Sequence, residues 1–372
     1  MIFCNSCILP NTRPNLIIDK NGLCNACNQF NLKTNINWNA RKKELLKIVN
    51  DAKKNSFGYD CLIPVSGGKD STWQVVECLS LGLKPLAVTW KTPARTIIGQ
   101  RNLDNLVNLG VDHIDYQINP KVEAKFMLKT FKKFGTTAIP MHMALFNIPL
   151  TLACKFNIPL IIYGENSANE YGGTKKLAQS YKINQEWLQK YGVTHGTKAE
   201  DWISKELSKK DLNAYLGVNW EEIKKKKIKP IFLGHFLNWD IHKTLKISKK
   251  FGFKVRKEGP KVGIYNYADI DCSFISIHHW LKWYKFGFNR DMDNLSLEIR
   301  NKRLSRKDAI KYLTNKGIKP PMEDIRLFCK FVGISVKEFE KISNKFRNKD
   351  IWKKVKKNWM IKDFIIKNWK FT

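Results

Sequence analysis

The sequence predicts an α/β protein: a doubly wound parallel sheet, with a small cysteine-bearing unit before it and a mostly helical region after it. Three observations carry this. Short apolar runs alternate with segments of helical period from residue 60 to residue 236, as βαβ units require. One of those runs ends abruptly in Ser66-Gly67-Gly68-Lys69-Asp70-Ser71 and passes straight into a helix. Four cysteines stand in two close pairs near the start.

Those pairs are Cys4-x2-Cys7 and Cys24-x2-Cys27, with 16 residues between them. Each pair suits a tight knuckle, and two knuckles complete a tetrahedral thiolate site, so residues 1–35 are expected to form a zinc ribbon. With all four positions taken by protein the metal is structural. An iron–sulfur cluster or four merely buried cysteines are the alternatives. The other five cysteines (Cys61, Cys78, Cys154, Cys272 and Cys329) are isolated on apolar segments and are expected in the core.

Residues 36–240 are expected to form the sheet domain. DCLIPV (60–65) suits a buried parallel strand, and STWQVVECLSLG (71–82) places Trp73, Val76 and Leu79 at helical spacing with Gly82 as a stop. The turn between them brings backbone N–H groups and a helix N-terminus to face an anion, and glycine permits close approach. Lys69 adds a point charge, and Ser66 and Ser71 add hydroxyls. Asp70 beside phosphates asks for a cation and points to Mg²⁺. A Walker loop is excluded, because Ile63 and Asp70 stand where it needs a glycine and a hydroxyl residue.

Further along, KPLAVTW (84–90) reads as the second strand and VDHIDYQI (111–118) as the third, with a largely helical stretch between them. Helices follow at 121–134 and 141–156, then strands within NIPLIIYGEN (157–166) and IKPIFLGHF (228–236). Ligands in such sheets lie at the carboxyl ends of the strands, so the loops after residues 65, 90 and 163 share one rim.

Residues 241–372 are expected to bind substrate and to be mostly helical. Asp269, Asp271, His278, His279, Arg290, Arg300, Arg303 and Arg306 crowd into one region. The last three, within seven residues, suit an anionic substrate, although helical ion pairs would explain some of them. The terminal stretch IWKKVKKNWMIKDFIIKNWKFT spaces Trp352, Val355 and Trp359 at near-helical intervals, as in a packed amphipathic helix or one that meets a partner or a membrane surface.

Composition narrows the classes. Hydrophobic residues at 43% and charged residues at 27% suit a globular chain. The net charge of +33 favours polyanions such as nucleic acid, anionic lipid or phosphorylated small molecules, and a coding bias toward Lys, Asn and Ile accounts for it equally well. The opening MIFCNSC lacks the pattern of a secretory signal. The most apolar stretch, 148–164, is too short and too interrupted by Lys155, Asn157 and two prolines to span a bilayer. A cytoplasmic protein without a transmembrane segment is expected.

Ser-Gly-Gly-Lys-Asp-Ser resembles the pyrophosphate loop (PP-loop) of the ATP pyrophosphatase superfamily, which has a HUP-like fold. The resemblance implies that ATP is cleaved between its α and β phosphates. Ser66, Gly67, Gly68, Lys69, Asp70 and Ser71 would hold the pyrophosphate and Mg²⁺, Thr89 and Trp90 would lie near the adenosine, and Gly164 would lie at the reacting end. Together with CNSCILPNTRPN…NGLCNAC, YGENSANEYGG and NYADIDCSF…KFGFNRDMDNLSLEIRNKRLSR, the loop makes this chain resemble, over nearly all of its length, the N-acetyl sugar amidotransferases of bacterial surface-glycan biosynthesis. These include the LPS-type enzymes and the pseudaminic acid enzyme linked to flagellin glycosylation.

That family converts an acetamido group to an acetamidino group, which implies an N-acetylated sugar as substrate: a nonulosonic acid or a nucleotide-linked diacetamido uronic acid. It also implies Lys69, Asp70 and Glu165 as catalytic residues, with Asn166, Glu170, Tyr171, Asp271, Arg290 and Arg300 about the substrate. No cysteine has the context of a glutaminase nucleophile, so a separate glutaminase subunit is expected to supply ammonia. The rival reading is a PP-loop enzyme that modifies tRNA by thiolation or lysine transfer, which the charge suits. Against thiolation, and against a nucleic-acid partner, no C-x-x-C occurs beyond residue 27.

Overall fold

The structure, a computed structural model, describes residues 1–356 and 358–367. At its centre five parallel strands run in the order β3-β2-β1-β4-β5: β1 Cys61–Pro64, β2 Pro85–Trp90, β3 Asp112–Tyr116, β4 Leu160–Tyr163 and β5 Lys229–Phe232. β1 pairs with β2 from Cys61↔Pro85 to Pro64↔Val88 and with β4 through Leu62↔Ile161. Chain order therefore reverses at β1, where a doubly wound sheet opens its ligand crevice.

The strands are apolar on both faces because both faces are covered. Leu62, Leu86, Val88 and Ile161 point to one side, where α5 (Pro120–Phe134) and α6 (Ala138–Phe156) bring Phe126, Phe131, Ile139 and Met143. Cys61, Ile63, Ala87, Leu160 and Ile162 point to the other. There they meet Leu45 and Val49 of α2 (Trp38–Asn55), Val75 and Cys78 of α3 (Lys69–Ser80), and Leu103 of α4 (Ile97–Val107). Each buried aliphatic side chain contributes about 1.5–3 kcal/mol of transfer free energy. Edge strand β3 is instead partly exposed and polar. All five strands expected from the sequence are present, and the helices expected in the sheet domain lie between their strands.

Two local expectations need correction. The helix after the loop buries Trp73, Val75 and Cys78, while Val76 and Leu79 are only half-buried. The helix Ile241–Lys250 runs against a second flank of α3, where Ser248 Oγ donates to the Lys69 carbonyl at 2.6 Å, so a single-stripe reading of the periodicity fails. Gly82, at φ +66°, does end the segment, one residue past the helix cap.

The end of the chain is not a helix. Residues Trp352–Val355 (β6) and Asn358–Ile361 (β7) form an antiparallel hairpin in which Trp352 stands opposite Ile361. Trp352 is buried with its indole N–H donated to the Tyr284 carbonyl at 2.9 Å, whereas Val355 is exposed. Long-range packing of one tryptophan thus overrides the near-helical spacing. The last residues of that stretch, 368–372, lie outside the described residues.

Ahead of the hairpin the C-terminal third is helical, as expected, with helices Phe274–Phe286, Arg290–Arg300, Arg306–Lys316, Met322–Val332 and Val336–Lys345. The N-terminal cysteine unit packs there rather than on the sheet. Ile8, Leu9 and Leu16 share a core with Phe288, Met292, Leu295 and Leu313. Among the described residues no helix is long and apolar enough to cross a membrane.

Candidate active site and metal centre

Past β1 the ladder continues to Val65, whose N–H reaches the Val88 carbonyl at 2.9 Å, and the chain then turns. Gly67 sits at φ +83°, and a Cβ there would stand 2.7 Å from the Gly99 carbonyl oxygen, so both backbone and space demand glycine. The serines brace the turn. Ser71 Oγ accepts from Ser66 N–H at 3.0 Å, and Ser66 Oγ accepts from Gly68 N–H at 3.3 Å. Gly68 is the N-cap of α3 and offers no side chain, so the first-turn N–H groups meet no capping side chain. This is the arrangement that favours an oxyanion at a helix N-terminus.

The turn floors a cavity of about 440 Å³, within the usual range for small-ligand sites. Val88, Thr89 and Trp90 from β2 form one wall, and Met141, Leu145 and Pro149 from α6 add an apolar one. Thr89 Oγ1 is paired with His113, and the Trp90 indole donates to Glu123 at 2.9 Å, so both are held in place from behind. Glu165 enters from the loop after β4. Gly164 precedes it, and a Cβ there would stand 3.3 Å from Gln74 Oε1.

The remaining wall is the segment 267–272, which is far from the loop in sequence. It is clamped to the β2–α4 connection: Thr96 N–H donates to the Asp271 carbonyl, Thr96 Oγ1 to the Ile270 carbonyl, and Ser273 N–H to the Ala94 carbonyl. A Cβ on Gly99 would stand 2.7 Å from Asp271 Cα, so that glycine allows the close approach.

Charges at the site are arranged in opposed pairs. Lys69, only 3% exposed, donates to Asp70 Oδ2 at 2.6 Å, and Asp70 Oδ1 accepts from the Trp239 indole at 3.0 Å. Arg290 Nε donates to Asp269 at 2.7 Å. Burial opposes ionisation of Asp269, but Arg290 and His279 outweigh it and hold the carboxyl well below its usual range. Glu165 is different: burial, with the Asp70 carboxylate nearby, pushes it up to about 7. Burial likewise raises Asp271, with Asp269 adding to it. A carboxyl poised near neutrality inside a cleft suits proton transfer.

In the N-terminal unit Cys4, Cys7, Cys24 and Cys27 are buried, with their sulfurs all within 4.8 Å of one another. A zinc tetrahedron with bonds near 2.3 Å has edges of about 3.8 Å. The Cys4–Cys27 and Cys7–Cys24 sulfurs stand 3.9 and 3.7 Å apart, so the donor set fits structural zinc. Arg306 donates to the Cys7 carbonyl at 3.0 Å and to the Cys4 carbonyl. Arg300 is buried beside the thiols; burial opposes its charge, but the sulfurs of Cys7, Cys27 and Cys24 outweigh this and raise it. A four-thiolate zinc site carries net negative charge, which these two guanidinium groups offset.

Helix α1 (Asn25–Leu32), which carries Cys27, also grips the loop after β4. Asn25 and Gln29 both donate to the Gly173 carbonyl, and Lys33 reaches Glu170 at 2.5 Å.

The structure therefore gathers Ser66, Gly68, Lys69, Asp70, Ser71, Thr89, Trp90, Glu165, Asp271 and Arg290 around one cavity. Others expected there have different surroundings. Asn166 is buried; its amide donates to the Leu177, Ala178 and Ser180 carbonyls, and its oxygen accepts from Trp187. Glu170 is tied to Lys33, and Arg300 donates to the Glu170 carbonyl. Arg303 is paired with Glu298 and Asp240, and Arg306 with the Cys4 and Cys7 carbonyls, whereas Arg300 keeps a buried Nη1 without a hydrogen-bond partner among the described residues. Tyr171 lines a neighbouring cavity. Sequence reasoning missed Tyr267 and His142, which line the cavity, and Trp239, which holds Asp70; only their placement in three dimensions brings them there, and no local pattern marks them.

Residues 261–365 match the family model described as the C-terminal domain of WbpG-like LPS biosynthesis proteins. Asp269, Asp271, His279 and Arg290 fall within that match. Among solved structures, the chain is similar to NMN synthetase from Francisella tularensis, at 13% identity and a TM-score of 0.32, over 80% of this chain and 94% of that one. No curated protein matches the chain.

Proposed function

We propose that the protein is an ATP-dependent amidotransferase that converts an N-acetyl group of a bacterial surface-glycan sugar into an acetamidino group. The observation that carries the reading is the uncapped N-terminus of α3 behind Ser66–Ser71, opening on a cavity that also holds Glu165. The LPS-biosynthesis description of the domain matched by residues 261–365 supports a glycan substrate.

An amide oxygen is a poor leaving group. The acetamido oxygen attacks the α-phosphorus of ATP, the α–β bridging bond breaks, and pyrophosphate departs. Ammonia then adds to the imidate carbon and AMP leaves with the former amide oxygen. Net consumption is one ATP and one ammonia, and the product exchanges O for NH. Loop N–H groups and Lys69 hold the departing pyrophosphate, which is stabilisation of developing charge rather than covalent catalysis. Asp70 would hold Mg²⁺, which neutralises phosphate charge. Glu165, poised near neutral pH, takes the proton that the added nitrogen must lose once ammonia has bonded to the imidate carbon. Ammonia comes from a separate glutaminase subunit.

The test is AMP release by the purified chain with ATP, Mg²⁺ and ammonium chloride, against N-acetylated nucleotide sugars, N-acetylated nonulosonic acids and bulk tRNA. The reading expects sugar dependence and a product one mass unit lighter. Dependence on tRNA alone would overturn it.

A further inference from the structure

Beside the loop cavity lies a second, larger one of about 780 Å³. The two share His142, Asp269, Ile275 and Arg290, so they form adjoining chambers. Its floor is the helix Phe274–Phe286, and its sides come from residues 13–15, the end of α5, α7 (Ser167–Tyr171) and the loop at 193–196. Aromatic side chains such as Phe134, Tyr171 and Phe288 supply apolar surface.

Its charge balance is one-sided. Six lining side chains are cationic and two are anionic. The two carboxylates are already engaged. Asp293 takes Arg13 at 3.0 Å and stands 3.7 Å from Lys282, and Asp269 takes Arg290. Lys285 donates to the Phe134 carbonyl at 3.2 Å and lies over the Phe286 ring, and no carboxylate pairs with it among the described residues. Burial lowers Lys282 and Lys285 to about 8, and Lys282 adds to the effect on Lys285. His279 is 5% exposed and neither ring nitrogen has a hydrogen-bond partner among the described residues; Nε2 stands 3.8 Å from Asp269, within reach of its charge but too far for a hydrogen bond. Concentrated, partly buried cations and an unsatisfied donor are costly in isolation, and a bound oxyanion offsets both.

We propose that this chamber binds the unreacting, anionic part of the acceptor sugar, its carboxylate or its linked diphosphate, against Lys282, Lys285 and His279. The sugar lies on the aromatic wall, and its acetamido group passes between Arg290 and His142 into the loop cavity. The proposal rests on reading that cavity as the adenylating site, but binding in the larger chamber needs no ATP and is measured separately.

The experiment is calorimetric titration of the full, zinc-loaded chain with UDP-N-acetylglucosamine as the diphosphate arm and N-acetylneuraminic acid as the carboxylate arm. Neutral N-acetylglucosamine is the control. At least one anionic probe should bind, more tightly than the control, and Lys282→Gln with Lys285→Gln should weaken it about tenfold. A non-hydrolysable ATP analogue should bind wild type and variant alike, which also shows that the variant is folded. Failure of both anionic probes to bind, unchanged affinity in the variant, or displacement of the probe by the nucleotide analogue would each overturn the proposal. Sugar-anion binding by a protein that binds no nucleotide supports the chamber and overturns the adenylation reading alone.

Discussion

The indole N–H of Trp239 donates to Asp70 Oδ1 at 3.0 Å, joining the segment after β5 to the first turn of α3. With Lys69 on the other oxygen, the carboxylate is held at a fixed angle to the loop. Hydrogen bonds to charged groups contribute about 1.5–3 kcal/mol. Trp239→Phe should therefore slow AMP release by about tenfold, with the zinc content unchanged. Asp70→Asn should abolish AMP release while leaving the fold intact. Steady-state assays with metal analysis check both.

Gly67→Ala tests the loop itself. The left-handed φ and the 2.7 Å approach to the Gly99 carbonyl together cost about 1–3 kcal/mol, confined to the turn. Nucleotide affinity should fall by about tenfold or more, whereas Gly58→Ala, with nothing within 4 Å, should change neither affinity nor stability.

In the proposed reaction Glu165 should set the pH dependence. Below about 7 its carboxyl is neutral and would not accept the proton of the added nitrogen; above that it is ionised and would. The rate at saturating ammonium should rise through an apparent pKa near 7, and Glu165→Gln should remove that limb. An unchanged profile in the variant would assign the limb to another group.

Glu123 gives a pH dependence of stability. It is 2% exposed, and burial raises its pKa to about 8 against an ordinary 4.5, with the Trp90 indole partly opposing the shift. The folded state therefore holds a proton that the unfolded chain loses above 4.5, and stability declines as pH rises from there to 8. Glu123→Gln should raise the melting temperature more at pH 8.5 than at pH 5, by an amount equivalent to about 2–4 kcal/mol. Equal effects at both pH values would count against a neutral buried carboxyl.

Chelation tests the ribbon. One zinc per chain is expected, and Cys24→Ser should release it. Because α1 holds the Gly173 carbonyl through Asn25 and Gln29, loosening the ribbon should also disturb the loop carrying Glu165. AMP release should fall with zinc content, and zinc should restore it in the chelated wild type.

Much of the fold was legible because strand burial and helix period are local signals. A parallel strand covered on both sides has little choice but a continuous apolar run, as in CLIPV and LIIY. The terminal hairpin was not legible. Its register depends on where Trp352 finds the Tyr284 carbonyl, a partner 68 residues away.

The sequence by itself determined the sheet, the loop at its switch point and the spacing of the four cysteines. Each depends on residues within about one turn or one strand of each other, where covalent connection does most of the positioning. Only the tertiary structure decided the rest of the site. It brought 267–272 against Gly99, set Trp239 on Asp70, and placed Arg300 and Arg306 beside the thiol cluster. Those choices follow from which buried charges can find partners across the whole molecule, and a charge run in a sequence does not specify its partner.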